Sequence, residues 1–358
     1  MKTKKLLLWV LFMCCAMFTG CGYAEPEKAV RQEMELIRKL DESAIKAFVS
    51  YEDIKFANSS SPEIGPETTE AIKLFFSKFK YRIRSSSVSE DNTTATVKLD
   101  ITNVDARALA KDLCRSIIEN AYTNGSSPMQ EGITSSFALM KKCLEENDYP
   151  LVTTKATVNL VNRDGEWVIP ESAEFEDQLT GGLVSCLQDP YLLAPEEILE
   201  CTLNPFVSFS AQQWLDYLSL DDVFRTGSSI AGDIDLALCE QISSFFKYEI
   251  TDVTQDGDTA YASVVITSLD LEAVMEKCRG SLLEFAKTTA SIRATDEEIA
   301  QKTAELLLEA LSSNTASAEN TVTIVLANNG YIWEVHLSEF FSDALLGGID
   351  PALDLLKQ

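Results

Sequence analysis

The chain has 358 residues, 46% of them apolar, and it carries 30 basic against 56 acidic side chains for a net charge of −26. A chain of this length is expected to form two domains, at about 100 to 200 residues each. Negative charge of this size repels phosphate-rich partners within the screened range of about 8 Å, so we exclude nucleic acid as a partner and expect anionic lipid headgroups to be repelled. Basic peptides and divalent cations remain compatible with it.

The N-terminus has the three parts of a secretion signal. Positive charge at Lys2, Lys4 and Lys5 precedes an apolar run from residue 6 to residue 18, and small residues follow. This run is shorter than the roughly 20 apolar residues that a membrane-spanning helix needs. We therefore predict that residues 1–20 are a signal peptide, cleaved between Gly20 and Cys21.

The sequence Phe18-Thr19-Gly20-Cys21 resembles the lipobox of bacterial lipoproteins, with phenylalanine where leucine is usual. The resemblance implies that the Cys21 thiol receives a diacylglyceryl group before cleavage. The lipid on Cys21 would then hold the mature protein on the extracytoplasmic face of the cell membrane. The alternative is a secreted protein cut near Ala24. Loss of the three signal lysines changes the net charge from −26 to −29.

Hydrophobic periodicity predicts an α+β order of elements in the first half. A leading helix over 27–48 is followed by strands 79–88 and 93–103, which a polar turn joins as a hairpin. Two helices follow, at 105–122 and near 130–147. A second hairpin, 152–162 with 166–175, closes this half, and its turn contains a glycine.

The same order returns in the second half. Helices are predicted at 211–224 and 236–246, with Pro195 starting a leading helix before them, and strands at 246–254 and 259–268. The next helix carries Leu271, Val274 and Leu282 at helical spacing. A further helix over 296–312 begins with the capping-box sequence 295–298. The last hairpin pairs 320–328 with 331–337.

Residue identities recur in register between the halves. Phe79-Lys80-Tyr81 returns as Phe246-Lys247-Tyr248, Trp167 matches Trp333, and Gly181-Gly182 matches Gly347-Gly348. A period near 165 residues is far longer than a solenoid repeat, so each copy is expected to be a whole domain. We predict a signal peptide at 1–20 and two tandem domains at 21–187 and 188–358.

The predicted fold class is α+β, with each copy a leading helical segment, an antiparallel four-stranded sheet and an inserted helical pair. This order resembles the nuclear-transport-factor-like or cystatin-like class. It is also similar to small lipoproteins of Gram-positive bacteria whose function is unknown. The resemblance implies a cone-shaped domain that holds a pocket. Enzymes, binding modules and spacers all use such scaffolds, so the fold does not decide the function.

Residues that could carry catalysis are few. His336 is the only histidine, so histidine-based zinc sites have no second ligand, and we interpret it as an ordinary strand residue. Two pairs of acids lie close in sequence, Glu171 with Glu174 and Asp233 with Asp235, as chance predicts in so acidic a chain. No nucleophile, phosphate or dinucleotide motif is present. We predict no catalytic residue, no cofactor and no metal site.

One acidic stretch, 252–263, alternates oxygen-bearing side chains around Gly257 as calcium loops do. Its twelfth position is Ser263 instead of glutamate, and a hairpin turn accounts for the same residues. We therefore interpret the stretch as a hairpin.

Six cysteines follow the lipidation site, namely Cys114, Cys143, Cys186, Cys201, Cys239 and Cys278. They contain no C-x-x-C pair, so neither thiol redox catalysis nor a zinc ribbon is indicated. Cys114 and Cys278 lie on matching helices and are interpreted as buried small residues. A bridge between Cys186 and Cys201 would staple the domain boundary.

The recurring aromatic residues Tyr81, Tyr248, Trp167 and Trp333 are interpreted as core residues. The sequence thus favours a lipid-anchored extracytoplasmic protein without a catalytic role, which binds an envelope protein, a peptide or a small apolar ligand. One alternative is an isomerase or hydrolase that uses paired carboxylates in a cone-shaped pocket. The other is a structural spacer in the cell envelope.

Overall fold

The fold is given by a computed structural model that describes residues 25–40, 66–124, 133–170 and 172–348. Among these residues, no helix combines the length and the apolar character that crossing a membrane requires.

The first half forms one antiparallel sheet with helices packed on one face. Its strands follow in the order β1-β2-β3-β4. Its elements are α1 (Pro26–Lys39), α2 (Pro66–Phe76), β1 (Lys80–Val88), β2 (Thr94–Val104), α3 (Ala106–Thr123), α4 (Ile133–Glu146), β3 (Leu151–Arg163), β4 (Glu166–Val168), α5 (Ala173–Leu179) and α6 (Leu183–Leu187).

The second half repeats this arrangement with a sheet of order β5-β6-β7-β8. A 3-10 turn (Ser291–Arg293) precedes the helix over residues 296–312. The elements are α7 (Pro195–Val207), α8 (Ala211–Leu218), α9 (Ala231–Phe245), β5 (Lys247–Asp256), β6 (Thr259–Leu269), α10 (Leu271–Ala286), α11 (Asp296–Ser312), β7 (Ser317–Asn328), β8 (Trp333–His336) and α12 (Glu339–Leu345).

The predicted α+β class is confirmed, with two four-stranded antiparallel sheets and a helical pair inserted between the second and third strand of each. The first hairpin of each half also carries a β-bulge at the same place, between Ile83 and Ser85 and between Ile250 and Asp252. A bulge bends its strand and strengthens the local twist. The likeness to the nuclear-transport-factor-like class stays a prediction.

Each sheet has one apolar and one polar face because successive strand residues point in opposite directions. Strand β2 buries Ala95, Val97, Leu99 and Ile101, while the residues between them are polar. The helices cover the apolar face, and Val30 and Met34 of α1 are completely buried there. The opposite, outer face of each sheet carries mostly polar side chains, with a few apolar residues such as Val161, Tyr261 and Val265.

The predicted closing hairpins are too long at their second strands. Strand β4 ends at Val168, because Pro170 cannot donate to a strand ladder and Ser172 caps α5 by accepting the N–H of Phe175. In the second half, the Asn329 side chain accepts the N–H groups of Tyr331 and Ile332. Those two residues therefore belong to the turn, and β8 begins at Trp333.

The leading helices also differ from the prediction. Helix α1 ends at Lys39, where Leu40 takes a left-handed conformation, and residues 41–48 of the predicted helix lie outside the described residues. Helix α8 stops at Leu218 because Ser219 is left-handed, and α9 begins at Ala231 instead of residue 236. Helix α2 was not predicted.

Candidate functional site

The lipidation and cleavage residues, Gly20 and Cys21, lie outside the described residues. The predicted signal peptide and lipid anchor therefore stay predictions. The predicted domain limits, 187 and 188, also stay predictions, although the chain passes from one core to the other nearby. Leu192 is buried in the first core and Leu193 in the second.

His336 and the sequence-adjacent acids do not form a shared site within the described residues. His336 is exposed at the end of β8, opposite Val325 of β7. Asp235 is buried and accepts the backbone N–H groups of Asp222 and Val223 at 2.7 and 3.1 Å, so it fixes the loop before α9. Its neighbour Asp233 is exposed in the first turn of α9.

Only one member of the other acid pair can be placed, because Glu171 lies outside the described residues. Glu174 is exposed and accepts a hydrogen bond from Gln178 of the same helix. Neither pair therefore presents two neighbouring carboxylates in the described part of the chain.

The stretch that resembled a calcium loop is a hairpin, as interpreted. Asp252 and Asp256 belong to β5, and the turn to β6 is made at Gly257, which has a φ of +58°. Within the described ranges, no three histidine, cysteine or acidic side chains converge as metal ligands would.

Cys186 and Cys201 are not joined; all six described cysteines are free thiols. The two residues that could have formed a bridge belong to different cores: Cys201 is buried in the second, and Cys186 packs beside the first. Cys278 is completely buried, as expected, whereas Cys114 is only half-buried. Burial raises the pKa of Cys201 to about 12, which keeps its thiol protonated.

The recurring aromatic residues lie in or against the cores, as interpreted. The hydroxyl of Tyr81 donates to Glu35 of α1 at 3.1 Å, and that of Tyr248 donates to Asn204 of α7 at 2.6 Å. Trp167 packs beside the first core, and Trp333 is 97% buried in the second. Trp333 is also part of the site described below.

The two halves are joined along α3 and α7, which lie parallel. Lys111 of α3 pairs with Glu197 of α7, and farther along both helices the ring of Tyr122 meets Phe206 at 6.2 Å in an edge-to-face contact. Ile118 of α3 is buried in the core of the second half. The first half therefore supplies part of the second core, and the joint is a packed interface.

Glu197 is the electrostatic centre of this joint. Its carboxylate forms ion pairs with Lys111, at 3.2 Å, and with Arg115. It also accepts a hydrogen bond from the backbone N–H of Ala194 at 2.9 Å. Burial by itself would raise the pKa of Glu197, but these three donors outweigh burial and hold the pKa below its usual value. The carboxylate is therefore charged at neutral pH and binds the two helices together.

A cleft of about 270 Å³ opens beside this joint, at the N-terminal ends of α3 and α7. Its lining combines two cations, an aromatic pair and apolar linker residues. The lining residues are Arg107, Lys111, Tyr191, Leu192, Leu193, Ala194, Pro195, Glu197, Gln255 and Trp333.

Three segments hold the aromatic side of the cleft in place. The ring of Tyr191 contacts that of Trp333 edge to face at 6.1 Å, and the hydroxyl of Tyr191 donates to Asp258. Asn328 of β7 donates to the carbonyl of Pro190 at 2.9 Å. The linker 190–194 is thereby tied to the second sheet. The indole N–H of Trp333 is buried and has no acceptor in the described part of the chain.

The cationic side of the cleft comes from the first half. Arg107 lies 3.8 Å from Asp189 and keeps most of its side chain exposed, whereas Lys111 is held by Glu197. The N-terminal ends of two parallel helices add positive potential at the same place. The cleft therefore suits an apolar or aromatic group that carries an acidic substituent.

Sequence reasoning did not identify Arg107, Lys111 or Gln255 as site residues. It singled out two lining residues, Pro195 as the start of a helix and Trp333 as a recurring core residue, but assigned neither to a site. The cleft arises from the contact between the halves, and contacts of that kind leave no periodic pattern in a single sequence.

No protein-family model matches the chain. No curated protein matches it either. Among solved structures, the chain is similar to the "Crystal structure of a putative lipoprotein (ycdA) from Bacillus subtilis subsp. subtilis", with 12% sequence identity and a TM-score of 0.27 over 75% of this chain and 96% of that chain. A likeness this distant carries no argument about the function of the present chain.

Proposed function

We propose that this protein is a lipid-anchored, extracytoplasmic binding protein without a catalytic role, and that its ligand occupies the cleft between the two halves. The single observation that carries the proposal is the cleft itself, where an aromatic pair faces two cations. The lipobox-like sequence ending at Cys21 supports the location.

The build of the cleft supports a binding role. Tyr191 and Trp333 are fixed by each other, by Asp258 and by the second core, so the aromatic wall exists before any ligand arrives. Preorganised side chains lose little conformational entropy when a ligand binds. Arg107, in contrast, is largely exposed and is paired with Asp189 at 3.8 Å, an ion pair that an acidic group of the ligand would share or replace.

The size of the cleft limits the ligand. Its volume of about 270 Å³ is at the lower end of ligand pockets, which commonly measure about 300 to 1,000 Å³. A small apolar molecule with a carboxylate, or one aromatic side chain of a bound peptide, fits this space. An envelope protein would enter the site through such a peptide segment.

Native mass spectrometry tests this proposal. The protein is purified from a native-like host, and its mass is recorded before and after denaturation. We expect a small molecule or peptide to leave the protein on denaturation, with a mass that identifies its chemical class.

A matched pair of variants assigns the ligand to the cleft. Gln255→Trp fills the cleft from an exposed position of β5, whereas Thr254→Trp adds the same bulk on the opposite face of the same strand. We expect the ligand to be lost from the Gln255→Trp protein and kept by the Thr254→Trp protein. Equal retention by both variants would place the ligand elsewhere. An empty wild-type protein would favour the spacer role instead.

A further inference from the structure

The outer face of the first sheet carries a cluster of positive charge in a strongly acidic protein. Residues on this face alternate with the buried positions of β1, β2 and β3, and the strand register brings them side by side. Five of its exposed cations, which we call the basic face, are Lys80, Arg82, Arg84, Lys98 and Lys155; a sixth, Arg163, lies at the end of β3 opposite Glu166.

One carboxylate lies among these five cations. Asp100 accepts a hydrogen bond from Arg84 and has Arg82 and Lys155 opposite it on the neighbouring strands. The hydrogen bond from Arg84, with the nearby charges of Arg82 and Lys155, keeps the pKa of Asp100 below its usual value. Five positive charges against one negative charge leave the basic face at +4.

Four of the cations have no carboxylate partner within the described residues. Lys80, Arg82, Lys98 and Lys155 form no ion pair there, and each is exposed. Short polar residues lie among these cations, as suits contact with phosphate oxygens. They are Ser85, Ser87, Thr96, Thr102, Thr153 and Thr157.

The second half provides an internal comparison, because its sheet has the same register and the same bulge. Arg82, Arg84, Lys98 and Lys155 correspond in that sheet to Glu249, Thr251, Ser263 and Thr321. The charged residues on the outer face of that sheet are mostly acidic: Lys247, Glu249, Asp252, Asp256, Glu319 and Glu334. The shared architecture therefore does not require a positive face, and only the first half carries one.

The basic face also belongs to the half that follows the predicted lipid anchor. Four residues lie between Cys21 and Pro26, the start of α1, and the five steps along the chain reach at most about 17 Å. Glu27 at the start of α1 accepts a hydrogen bond at 2.8 Å from Ser86 of the edge strand β1, and the Ser86 side chain lies on the helix-covered face, opposite the basic face. A lipid on Cys21 would therefore keep the edge of this sheet close to the membrane.

We propose that the basic face rests on the anionic phospholipid headgroups of the membrane and orients the tethered protein, with the second half pointing away. The net charge of the whole chain does not prevent this contact, because salt screens charges beyond about 8 Å. The headgroups in contact with the basic face therefore interact mainly with its cations, because the acidic surfaces are more distant and their repulsion is screened. Anionic lipid surfaces attract neighbouring lysine and arginine side chains.

A lipid surface suits these observations better than an acidic protein segment. The positive charges spread over three neighbouring strands of one sheet, and they lie on the half that a short tether holds near the membrane. The orientation depends on the proposed lipid anchor, whereas headgroup binding does not. The two parts can therefore fail separately.

Vesicle sedimentation tests headgroup binding without the anchor. The mature chain from residue 21, with Cys21→Ser, keeps every described element because these begin at residue 25. It is mixed at low salt with phosphatidylcholine vesicles, with or without about one third phosphatidylglycerol. We expect at least tenfold stronger binding to the anionic vesicles, since each basic side chain contributes about fivefold near such a surface.

Two triple variants with the same change in net charge separate the basic face from overall charge. Arg82→Ser, Lys98→Ser and Lys155→Thr remove three cations of the face, and we expect binding to fall to the phosphatidylcholine level. Arg279→Ser, Lys287→Ser and Arg293→Thr remove three exposed cations of the second half and should leave binding unchanged. Equal losses in both variants would overturn the proposal. Equal binding of the wild-type chain to both vesicles would also overturn it and favour an acidic protein partner. Neither result bears on the ligand-binding role proposed for the cleft.

Discussion

Gly181 and Gly347, which follow α5 and α12, are equivalent in sequence but differ in what surrounds them. Gly347 has a φ of +73°, and a Cβ atom there would lie 2.4 Å from the carbonyl oxygen of Leu269. Its counterpart Gly181 has a φ of +70°, but its Cβ atom would meet Ala106 at an ordinary 3.6 Å. The second half has thus closed around this position so tightly that only glycine fits.

We expect Gly347→Ala to lower the free energy of unfolding by at least about 3 kcal/mol, because a left-handed alanine costs about 1 to 2 kcal/mol and the clash with backbone adds to it. We expect Gly181→Ala to lower the free energy of unfolding only by the conformational cost of a left-handed alanine, about 1 to 2 kcal/mol. Denaturant unfolding of the two variants measures the difference. Equal losses would show that the backbone around Gly347 yields to the extra methyl group.

We expect the contact between helices α3 and α7 to lose stability in acid. The folded pKa of Glu197 lies below its unfolded value of about 4.3, so the stability that this carboxylate supplies is present above that pH and is lost as the pH falls through the folded pKa. Glu197→Gln removes the ion pairs with Lys111 and Arg115 but keeps an oxygen for the N–H of Ala194.

We expect Glu197→Gln to lower the free energy of unfolding by about 1 to 3 kcal/mol at pH 7, as for other hydrogen bonds to charged groups. The difference from wild type should shrink below about pH 4. Thermal unfolding between pH 3 and pH 7 measures it, and Glu276→Gln on the exposed surface of α10 is the control. A difference that persists in acid would mean that packing around Glu197, not its charge, joins the helices.

Elements were predictable from the sequence where one side of an element is buried. Strands β2 and β6 alternate buried and less buried residues up to their last two positions, and their positions follow from that alternation. Helix α2 buries Ala71, Ile72, Phe75 and Phe76 at helical spacing, but the run is short and adjoins β1 closely. The ends of α8 and β4 depend on single left-handed or capping residues, which periodicity does not register.

The cleft was not predictable for a different reason. Arg107, Tyr191 and Trp333 come from three separate parts of the chain, and only the docking of the halves brings them together. The basic face was hidden in a related way, because the cations of β1, β2 and β3 become neighbours through strand register. The net charge of the whole chain does not reveal such a local cluster of positive charge.

Whether the two halves behave as one body depends on where α3 places two adjacent isoleucines. Ile117 is buried in the first core, and Ile118, the next residue, is buried in the second. A single helix therefore takes part in both cores. Together with the ion pairs of Glu197, this sharing is expected to make unfolding of one half destabilise the other.

We expect the wild-type protein to unfold in one calorimetric transition, and each Ile→Ala change to cost about 2 to 5 kcal/mol. The two variants remove the same atoms, but only Ile118→Ala cuts a contact between the halves. Ile117→Ala should shift the single transition to lower temperature, because it weakens the first core and leaves the coupling. Ile118→Ala should divide the transition into two, because the first half no longer completes the second core. If both variants shift one transition equally, the ion pairs and the Tyr122–Phe206 contact are sufficient to couple the halves.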